Sequence, residues 1–477
     1  MPRKDCVCAS AEGVQDGAHG AEQLAWLQVQ CKCRAIPTIH LLTTALACAN
    51  IFKFCSPHHP LPFAFVSLSA QAYHSHTEEE GAEKQETTPE SLYNVTAVLI
   101  KEGLLTLEEI FPHLVPEAAV MKAAHTAKVE AAKSKAVKKL AVEETIQANK
   151  LKHAAATQEG SQNQKLGLCN ASLLIHDWQT ANQIIEQLPP FAATAWPPLR
   201  KRLCTVAQAV LEPLYRKVTP SFTKPSADLS TWIKGLDVCG DYQDMPVLLF
   251  PILKRLGMYA STDVILLTKV LRVMKACFAE SKERGDEELT LQAEVEDVFK
   301  YVIMPSISLI DPGNAALSME AWAVLDLMPY QARYRLYFVW KNKSEKLHPD
   351  VLLAQKMATK ETVFILKRLT KENWKAHGRT IGKLTHSNPG AVFDKILGLL
   401  QEDGYNNLIG PIVDALKYLS PLSKDMLAYC MVEAISNPKK QRLKEGDITL
   451  QQWLQTLSNF CAQVFKMFPI DMQGVLQ

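Results

Sequence analysis

KRLTKENWKAHGRTIGKLTHSNP, residues 367–389, is the stretch of this 477-residue chain that says most about its architecture. Lysine, arginine, asparagine, histidine, threonine and glycine surround isolated apolar side chains at Leu369, Trp374, Ile381 and Leu384. A buried helix instead repeats apolar residues every three or four positions. The pattern therefore predicts a polar, loop-rich block between helices, and such loops often carry function.

Helix signals surround this block, and little in the sequence indicates strands. Capping side chains stand before four predicted helices, at Asp177, Asn388, Ser420 and Thr449. The helix after Asp177 is expected to end at Pro189, two caps precede a proline, and residues 449–452 match a capping box. Consecutive helices with short linkers predict an all-α fold, an irregular HEAT-like α-solenoid, although the sequence shows no clean repeat period.

The last predicted helix carries a continuous apolar stripe. Its members recur at helical spacing: Trp453, Leu454, Leu457, Phe460, Cys461, Val464, Phe465 and Phe468. Such a stripe must be covered by a neighbouring helix. We therefore predict that Trp453 and Leu457 are core anchors, where a change to alanine costs about 2–5 kcal/mol.

Three regions are predicted along the chain. Residues 1–90 are cysteine-rich, then proline-rich and then acidic, so we expect a largely disordered leader or sequence that is not native to the protein. Residues 91–160 hold a short helical pair broken at Gly103, then an alanine- and lysine-rich helix that becomes a charged connector. Residues 161–477 form the solenoid. We expect residues 1–88 to be dispensable for folding.

The cysteines divide into two groups. Six of the twelve lie within the first 55 residues, and six are spread singly among apolar residues from Cys169 to Cys461. The first group forms C-x-C pairs rather than the C-x-x-C knuckle of zinc sites, so reduced thiols are favoured over a metal site. The second group is interpreted as small core side chains, a pattern typical of a reducing compartment.

Residues 36–54 form the one stretch that resembles a membrane span. It contains His40, Asn50, Lys53 and three threonines, which makes it too polar for a convincing span. It also starts too late for an ordinary secretory signal. We expect no membrane association.

Charge and motifs argue against catalysis and against bulk attraction to polyanions. The net charge is +2, so nothing steers the whole chain toward nucleic acid. Phosphate loops, nucleophile elbows and metalloprotease pairs are absent from the sequence. His377 and His386 are interpreted as exposed loop histidines rather than as a base or a metal ligand. We expect no enzymatic activity, cofactor or metal.

Two basic features could contact nucleic acid. The lysines at positions 128–139 are diluted by glutamates and lack aromatic neighbours, so a solvated helix face is favoured over an RNA groove. Three tyrosines fall on one helical stripe after Pro329, at Tyr330, Tyr334 and Tyr337, with Phe338 beside them and Arg333 on the flank. This stripe could stack bases, but a buried core with arginine laid across an aromatic edge is favoured.

Two stretches resemble the N-terminal region of the THO complex subunit 2 family, PYQARYRLYFVWKN at 329–342 and the block at 367–389. Weaker similarity runs collinearly through residues 91–100, 164–190, 212–218, 414–444 and 458–477. The candidate contacts for a partner or for RNA lie in the first two stretches: Arg333, Arg335, Lys367, Arg368, Arg379 and Lys383.

The resemblance implies a non-catalytic scaffold subunit of the nuclear THO/TREX complex, which organises other THO subunits for messenger-RNA processing and export. A DEAD-box RNA helicase would be engaged through the assembled complex, and messenger RNA only indirectly. The resemblance also implies a fragment or truncated form of a longer protein. Two alternatives stay open, an unrelated helical-repeat adaptor and a nucleic-acid-binding helical module with salt-dependent affinity for RNA.

Overall fold

The computed structural model describes residues 88–117, 119–124, 126–127, 130, 163–219, 237–285, 289–343, 349–402, 406–438, 440–443 and 449–471. All of them belong to one compact unit, Val66–Gln477. The N-terminal cysteines, the membrane-like stretch and the lysines at 128–139 lie outside the described residues. In the part that is described, no helix is long and apolar enough to cross a membrane.

The first half of the described chain contains nine α-helices. They are α1 Glu90–Lys101, α2 Leu107–Ile110, α3 Gln164–Leu174, α4 Trp178–Gln187, α5 Ala192–Ala195, α6 Pro197–Val218, α7 Phe250–Leu256, α8 Val264–Arg284 and α9 Gln292–Val298. Gly103 adopts a left-handed φ of 71° after α1, which only glycine does without strain. Helices α1 and α2 thus lie on either side of Gly103, where the sequence analysis places the break of a short helical pair.

Nine further helices complete the described chain. They are α10 Met304–Leu309, α11 Ala316–Leu325, α12 Tyr330–Phe338, α13 Pro349–Leu366, α14 Trp374–Ser387, α15 Pro389–Leu400, α16 Ile409–Ala415, α17 Pro421–Ile435 and α18 Gln452–Met467. Short 3-10 or π turns extend several helices, including Val339–Lys343 after α12 and Leu416–Tyr418 after α16. The described residues form no strand, and one isolated β-bridge joins Leu443 to Leu450.

The helices stack on near neighbours in the chain. Helix α3 packs on α6, α6 on α8 and α8 on α11, while α10, α13 and α15 form a second series. Neighbour-to-neighbour packing of this kind defines a solenoid. It confirms the predicted all-α, solenoid-like fold. The stack is irregular, because α17 also contacts α11 and α12, far earlier in the chain.

Two of the predicted helix caps are confirmed. The Asp177 carboxylate accepts a hydrogen bond from the Thr180 amide at 3.1 Å, and α4 ends just before Pro189. The Ser420 hydroxyl accepts from the Ser423 amide at 3.3 Å, and Pro421 opens α17. Each cap satisfies an amide that has no partner inside the helix.

Two other predicted caps are wrong. Helix α15 begins at Pro389 as expected, but the Asn388 side chain makes no cap and donates instead to the Ser308 carbonyl at 3.2 Å. Helix α18 begins at Gln452 with Gln451 in the capping position, so residues 449–452 form no capping box. A long-range hydrogen bond and a later helix start explain the two errors.

The stripe on α18 is largely buried, as predicted. Leu457, Phe460 and Val464 have no exposed surface. Trp453 is partly buried, its indole nitrogen donates to the Gln441 carbonyl at 2.9 Å, and the Lys440 ammonium lies 5.3 Å from its ring. Leu457 is thus a core anchor, while Trp453 lies at the edge of the core.

The six later cysteines are all free and buried: Cys169, Cys204, Cys239, Cys277, Cys430 and Cys461. Burial raises the pKa of Cys277 and of Cys461 to about 11. A thiol with such a raised pKa stays protonated at neutral pH and is therefore a weak nucleophile. The prediction that these cysteines are small core side chains is confirmed.

The prediction of a loop-rich block at 367–389 is wrong, because Trp374–Ser387 is a helix. Its buried face is built from Gly378, Ile381, Gly382 and Thr385, so the usual repeat of large apolar residues is missing. A Cβ atom on Gly382 would lie 2.8 Å from the Tyr418 carbonyl oxygen. Because Gly378 and Gly382 have no side chain, the backbone of α14 can pack closely against the turn after α16.

The histidines of this block are therefore on a helix and not in an exposed loop. His386 is half-buried, and its Nδ1 atom lies 3.2 Å from the Pro312 carbonyl oxygen. Burial lowers the pKa of His386, which favours the neutral ring. Among the described residues, no group of acidic, histidine or cysteine side chains could hold a metal ion.

Candidate partner and nucleic-acid interface

Arg333 lies inside the protein, between α12 and the C-terminal helices. Its Nε atom donates to the Asp425 carboxylate at 2.9 Å and its Nη2 atom to the Asp471 carboxylate at 2.8 Å. Its Nη1 atom donates to the Met328 carbonyl at 3.0 Å, and the guanidinium lies 5.7 Å from the Trp322 ring. Only 5% of Arg333 is exposed, so its donors serve the interior rather than a surface.

Two tyrosines of the aromatic stripe on α12 also pack inward, whereas Phe338 beside them is 43% exposed. Tyr337 has no exposed surface, and its hydroxyl donates to the Asp425 carboxylate at 2.7 Å. Tyr334 packs edge-on against Tyr429 of α17, with ring centroids 5.3 Å apart. These contacts confirm the core interpretation over base stacking. Burial raises the pKa of Asp425, while the Arg333 guanidinium favours the ionised form.

Arg335 points to the other side of α12, into a cavity of about 1260 Å³ between α7, α9 and the start of α12. Its guanidinium is paired with the Glu296 carboxylate at 2.9 Å. Two further cations of the cavity wall, Lys254 and Lys300, lie 3.8 and 3.3 Å from Asp297. The wall also carries Arg255, Lys282 and Glu294, so the cavity is a groove of mixed charge.

Lys367 and Arg368 follow the last residue of α13, and both are exposed. The Arg368 guanidinium lies 3.4 Å from the centre of the Phe364 ring, which is 51% exposed. The Asn373 amide donates to the Arg368 carbonyl at 2.7 Å, which holds this turn against the start of α14. Arg368 and Phe364 therefore form an ordered, accessible cation–ring pair.

Arg379 and Lys383 are exposed on α14 together with Lys375, one turn before them. Residues four apart lie one above another on a helix, so these three side chains form a line, here named the α14 cationic row. None of the three forms an ion pair with a carboxylate of the described residues. Lys375 was missed in the sequence because the block was interpreted as loop.

Aromatic rings lie beside the α14 cationic row. The Lys375 ammonium is 5.8 Å from the Trp374 ring, and the Arg379 guanidinium is 5.7 Å from the Tyr418 ring. Trp374 and Tyr418 are both partly exposed, with ring centroids 6.5 Å apart. Two of the three cations of the row thus lie beside partly exposed rings.

Two family models match most of the chain. Residues 66–159 and 229–379 match the family model described as the THO complex subunit 2 N-terminus. Residues 381–458 match the model described as a transcription- and export-related complex subunit. The chain belongs to the THO complex subunit 2 family. The family match starts at residue 66, which is further toward the N-terminus than the resemblance in the sequence, which begins at about residue 91.

Relatives in the THO complex subunit 2 family extend across animals and plants. The chain is 38% identical over 406 residues to THO complex subunit 2 of Homo sapiens and to that of Mus musculus. It is 31% identical over 432 residues to THO complex subunit 2 of Arabidopsis thaliana. These alignments cover 82% of this chain and 25%, 25% and 23% of the relatives, so the chain spans about a quarter of their length.

Both family models that match the chain are described as subunits of a complex. The matched family and relatives are described as complex subunits and not as enzymes, in line with the prediction of a non-catalytic subunit.

Proposed function

We propose that this chain is a non-catalytic scaffold subunit of the nuclear THO/TREX complex, where it organises partner subunits for messenger-RNA processing and export. Membership of the THO complex subunit 2 family carries the proposal. A DEAD-box RNA helicase joins through the assembled complex, and the proposal leaves contact with messenger RNA to other parts of that complex.

The helical stack suits such a role. A solenoid presents helix faces and the grooves between them along its whole length, and apolar helix-in-groove contacts are a common way of binding proteins. Large apolar side chains are exposed on three separate helices of the stack, at Ile265, Met319 and Phe364. Partners could therefore dock at several places along the stack.

Recovery of partners from a nuclear extract tests the scaffold role. The immobilised chain should retain other THO subunits, and it should still retain them after nuclease treatment, because the contacts are between proteins. An unrelated α-solenoid of similar length on the same resin provides the matched control. Retention of cytoplasmic trafficking proteins in place of THO subunits would favour the helical-repeat adaptor and contradict the proposal.

The affinity for RNA at physiological salt distinguishes a nucleic-acid-binding module from a scaffold. With a net charge of +2, the chain should bind RNA no more tightly than the non-specific range of about 10⁻⁴–10⁻⁶ M at physiological salt. Nanomolar affinity for RNA, together with loss of the protein partners on nuclease treatment, would reject the scaffold role in favour of the module.

A further inference from the structure

We propose that the α14 cationic row and the rings beside it form a weak, sequence-independent binding strip for single-stranded nucleic acid. The strip consists of Lys375, Arg379 and Lys383 with Trp374 and Tyr418, continued by the Arg368–Phe364 pair. This inference goes beyond the proposed scaffold role, in which messenger RNA is contacted only through other parts of the complex.

The row has a regular, rigid geometry. A rise of 1.5 Å per residue spreads Lys375, Arg379 and Lys383 over about 12 Å along α14. The helix cannot easily roll, because Gly378 and Gly382 bring its backbone against the turn Leu416–Tyr418. A Cβ on Gly378 would lie 2.9 Å from the Ala415 carbonyl oxygen. The three cations are therefore presented in a fixed line.

The three cations of the row lie in a line and have no ion pair among the described residues, whereas several other cations of the stack are paired. Arg333 and Lys341 each contact two carboxylates, and Arg272 contacts Glu320 at 2.6 Å. The row has no such carboxylate among the described residues, although its side chains are exposed. A line of exposed positive charge without counter-charge attracts a polyanion over roughly the 8 Å Debye length at physiological salt.

The rings favour single-stranded nucleic acid over an acidic protein segment. An acidic peptide would use the cations but gain little from the ring faces. Unpaired bases stack on aromatic rings and on the plane of an arginine, and both are accessible at the Arg368–Phe364 pair. Trp374 and Tyr418 offer further partly exposed rings beside Lys375 and Arg379. Phosphate and base contacts are thus available on the same strip.

Charge reversal of the row tests the phosphate contacts. The variant carrying Lys375→Glu, Arg379→Glu and Lys383→Glu is compared with the wild-type chain. Its control carries the same charge change elsewhere, on three exposed lysines of other helices: Lys201→Glu, Lys275→Glu and Lys466→Glu. Fluorescence anisotropy measures binding of 20-nucleotide oligo(U) and oligo(dT) from 50 to 200 mM salt, and circular dichroism melts check that all three proteins fold.

The proposal predicts both the affinity for the oligonucleotides and the way that this affinity depends on salt. Wild-type affinity should fall in the range of about 10⁻⁴–10⁻⁶ M for both oligonucleotides. The slope of log affinity against log salt should become shallower by about 2 in the row variant, since each lost single-strand phosphate contact removes about 0.7. The control variant should keep the wild-type slope. A row variant with the wild-type slope, or a tenfold preference for one sugar, would overturn the proposal.

Phe364→Ala tests the stacking contacts separately from charge. Loss of one stacked base should weaken oligonucleotide affinity about fivefold or more and leave the salt slope unchanged. Tyr301→Ala is the control, because Tyr301 is similarly exposed, at 48%, and lies on the turn Phe299–Ile303. Equal affinity in wild type and Phe364→Ala would remove the stacking half of the proposal and contradict it.

The acidic-peptide alternative has its own readout. Poly-glutamate that binds the wild type without displacing oligo(U) and binds the row variant poorly, with oligo(U) binding unchanged by the reversal, would assign the row to a protein segment. The row variant should also retain THO subunits from nuclease-treated extract. If the row variant keeps the wild-type salt slope, the strip is rejected. If the same variant still retains the THO subunits, the scaffold role is unaffected.

Discussion

At the residue scale, Arg333 is the clearest charged group of the interior. It joins α12 to Asp425 of α17 and to Asp471 beyond α18. Burial lowers the pKa of Arg333, but the two carboxylates raise it by more, so the guanidinium remains charged. A charge at this depth is tolerated only because its partners and hydrogen bonds are complete.

Removal of one partner should therefore be costly. Arg333→Met leaves the Asp425 carboxylate buried without its counter-ion, and we expect the free energy of unfolding to fall by about 3–5 kcal/mol. Arg335→Met on the same helix is the control, because its ion pair is 59% exposed on the arginine side and should cost about 1 kcal/mol or less. Urea denaturation measures both, and equal losses would show that Arg333 is not an interior charge.

The α18 stripe gives a second prediction at this scale. Leu457→Ala opens a cavity in a fully buried position and should lower the free energy of unfolding by about 2–5 kcal/mol. Trp453→Ala should lower it by less than Leu457→Ala does, because Trp453 is only partly buried. Thermal melts of both variants check the order. An unchanged melt for Leu457→Ala would mean that α18 is not packed on α15, α16 and α17.

At the element scale, the packing of α14 depends on glycine. Gly382→Ala would bring a Cβ to 2.8 Å from the Tyr418 carbonyl oxygen, so α14 must move away from the turn after α16. We expect a loss of about 1–3 kcal/mol. Gly398→Ala in α15 is the control, because a Cβ there meets nothing within 4 Å and alanine favours the helix by about 0.5–1 kcal/mol. Chemical denaturation that ranks the two variants the other way would contradict the close contact.

The ion pair between α6 and α8 should stabilise the fold less at low pH. Glu212 of α6 lies 2.7 Å from the Lys269 ammonium of α8 and 3.0 Å from the Arg216 guanidinium. Burial raises the pKa of Glu212, but the hydrogen bonds and charges of the two cations outweigh it, so the pKa lies below its ordinary value near 4.5. A carboxylate with a lowered pKa stabilises the fold above that value, and the stabilisation is lost as the pH falls through the lowered pKa.

Glu212→Gln should therefore be less stable than wild type at pH 7, and the difference should shrink as the pH falls from about 5 to 3. Denaturation at fixed temperature over this pH range measures it. Glu294→Gln, on an exposed residue of α9 without an ion pair among the described residues, should track the wild type. A difference that stays constant or grows toward pH 3 would contradict the ion pair as the cause.

At the scale of the whole molecule, the N-terminal boundary remains a prediction. Truncated chains beginning at residue 66 and at residue 89 should both keep the helical circular dichroism and the cooperative melt of the remainder. The second truncation removes Thr88, which accepts one hydrogen bond from the Gln164 amide, a contact worth about 1 kcal/mol. Aggregation of the chain from 89, but not of the chain from 66, would move the domain boundary to the start of the family match.

The sequence by itself determined the class of the fold, the family and the features that depend on near neighbours in the chain. The cap at Asp177 bonds to an amide three residues away, and the stripe on α18 repeats within a single helix. The family was recognisable from short stretches such as 329–342. Local signals of this kind are complete within a few turns of helix, and they can be recognised without knowing what packs against them.

Only the tertiary structure decided which polar residues are inside and which are outside. Arg333 was a candidate surface contact in the sequence, but in the structure it donates a hydrogen bond to the Asp425 carboxylate, 92 residues later in the chain. The glycines of α14 were interpreted as loop residues. The structure shows that they let the backbone of a helix approach the turn at Tyr418 closely. The α14 cationic row became visible only when that segment was helical. The physical reason is the same in each case, because burial and counter-charge are supplied by residues far away in the chain, which no local pattern records.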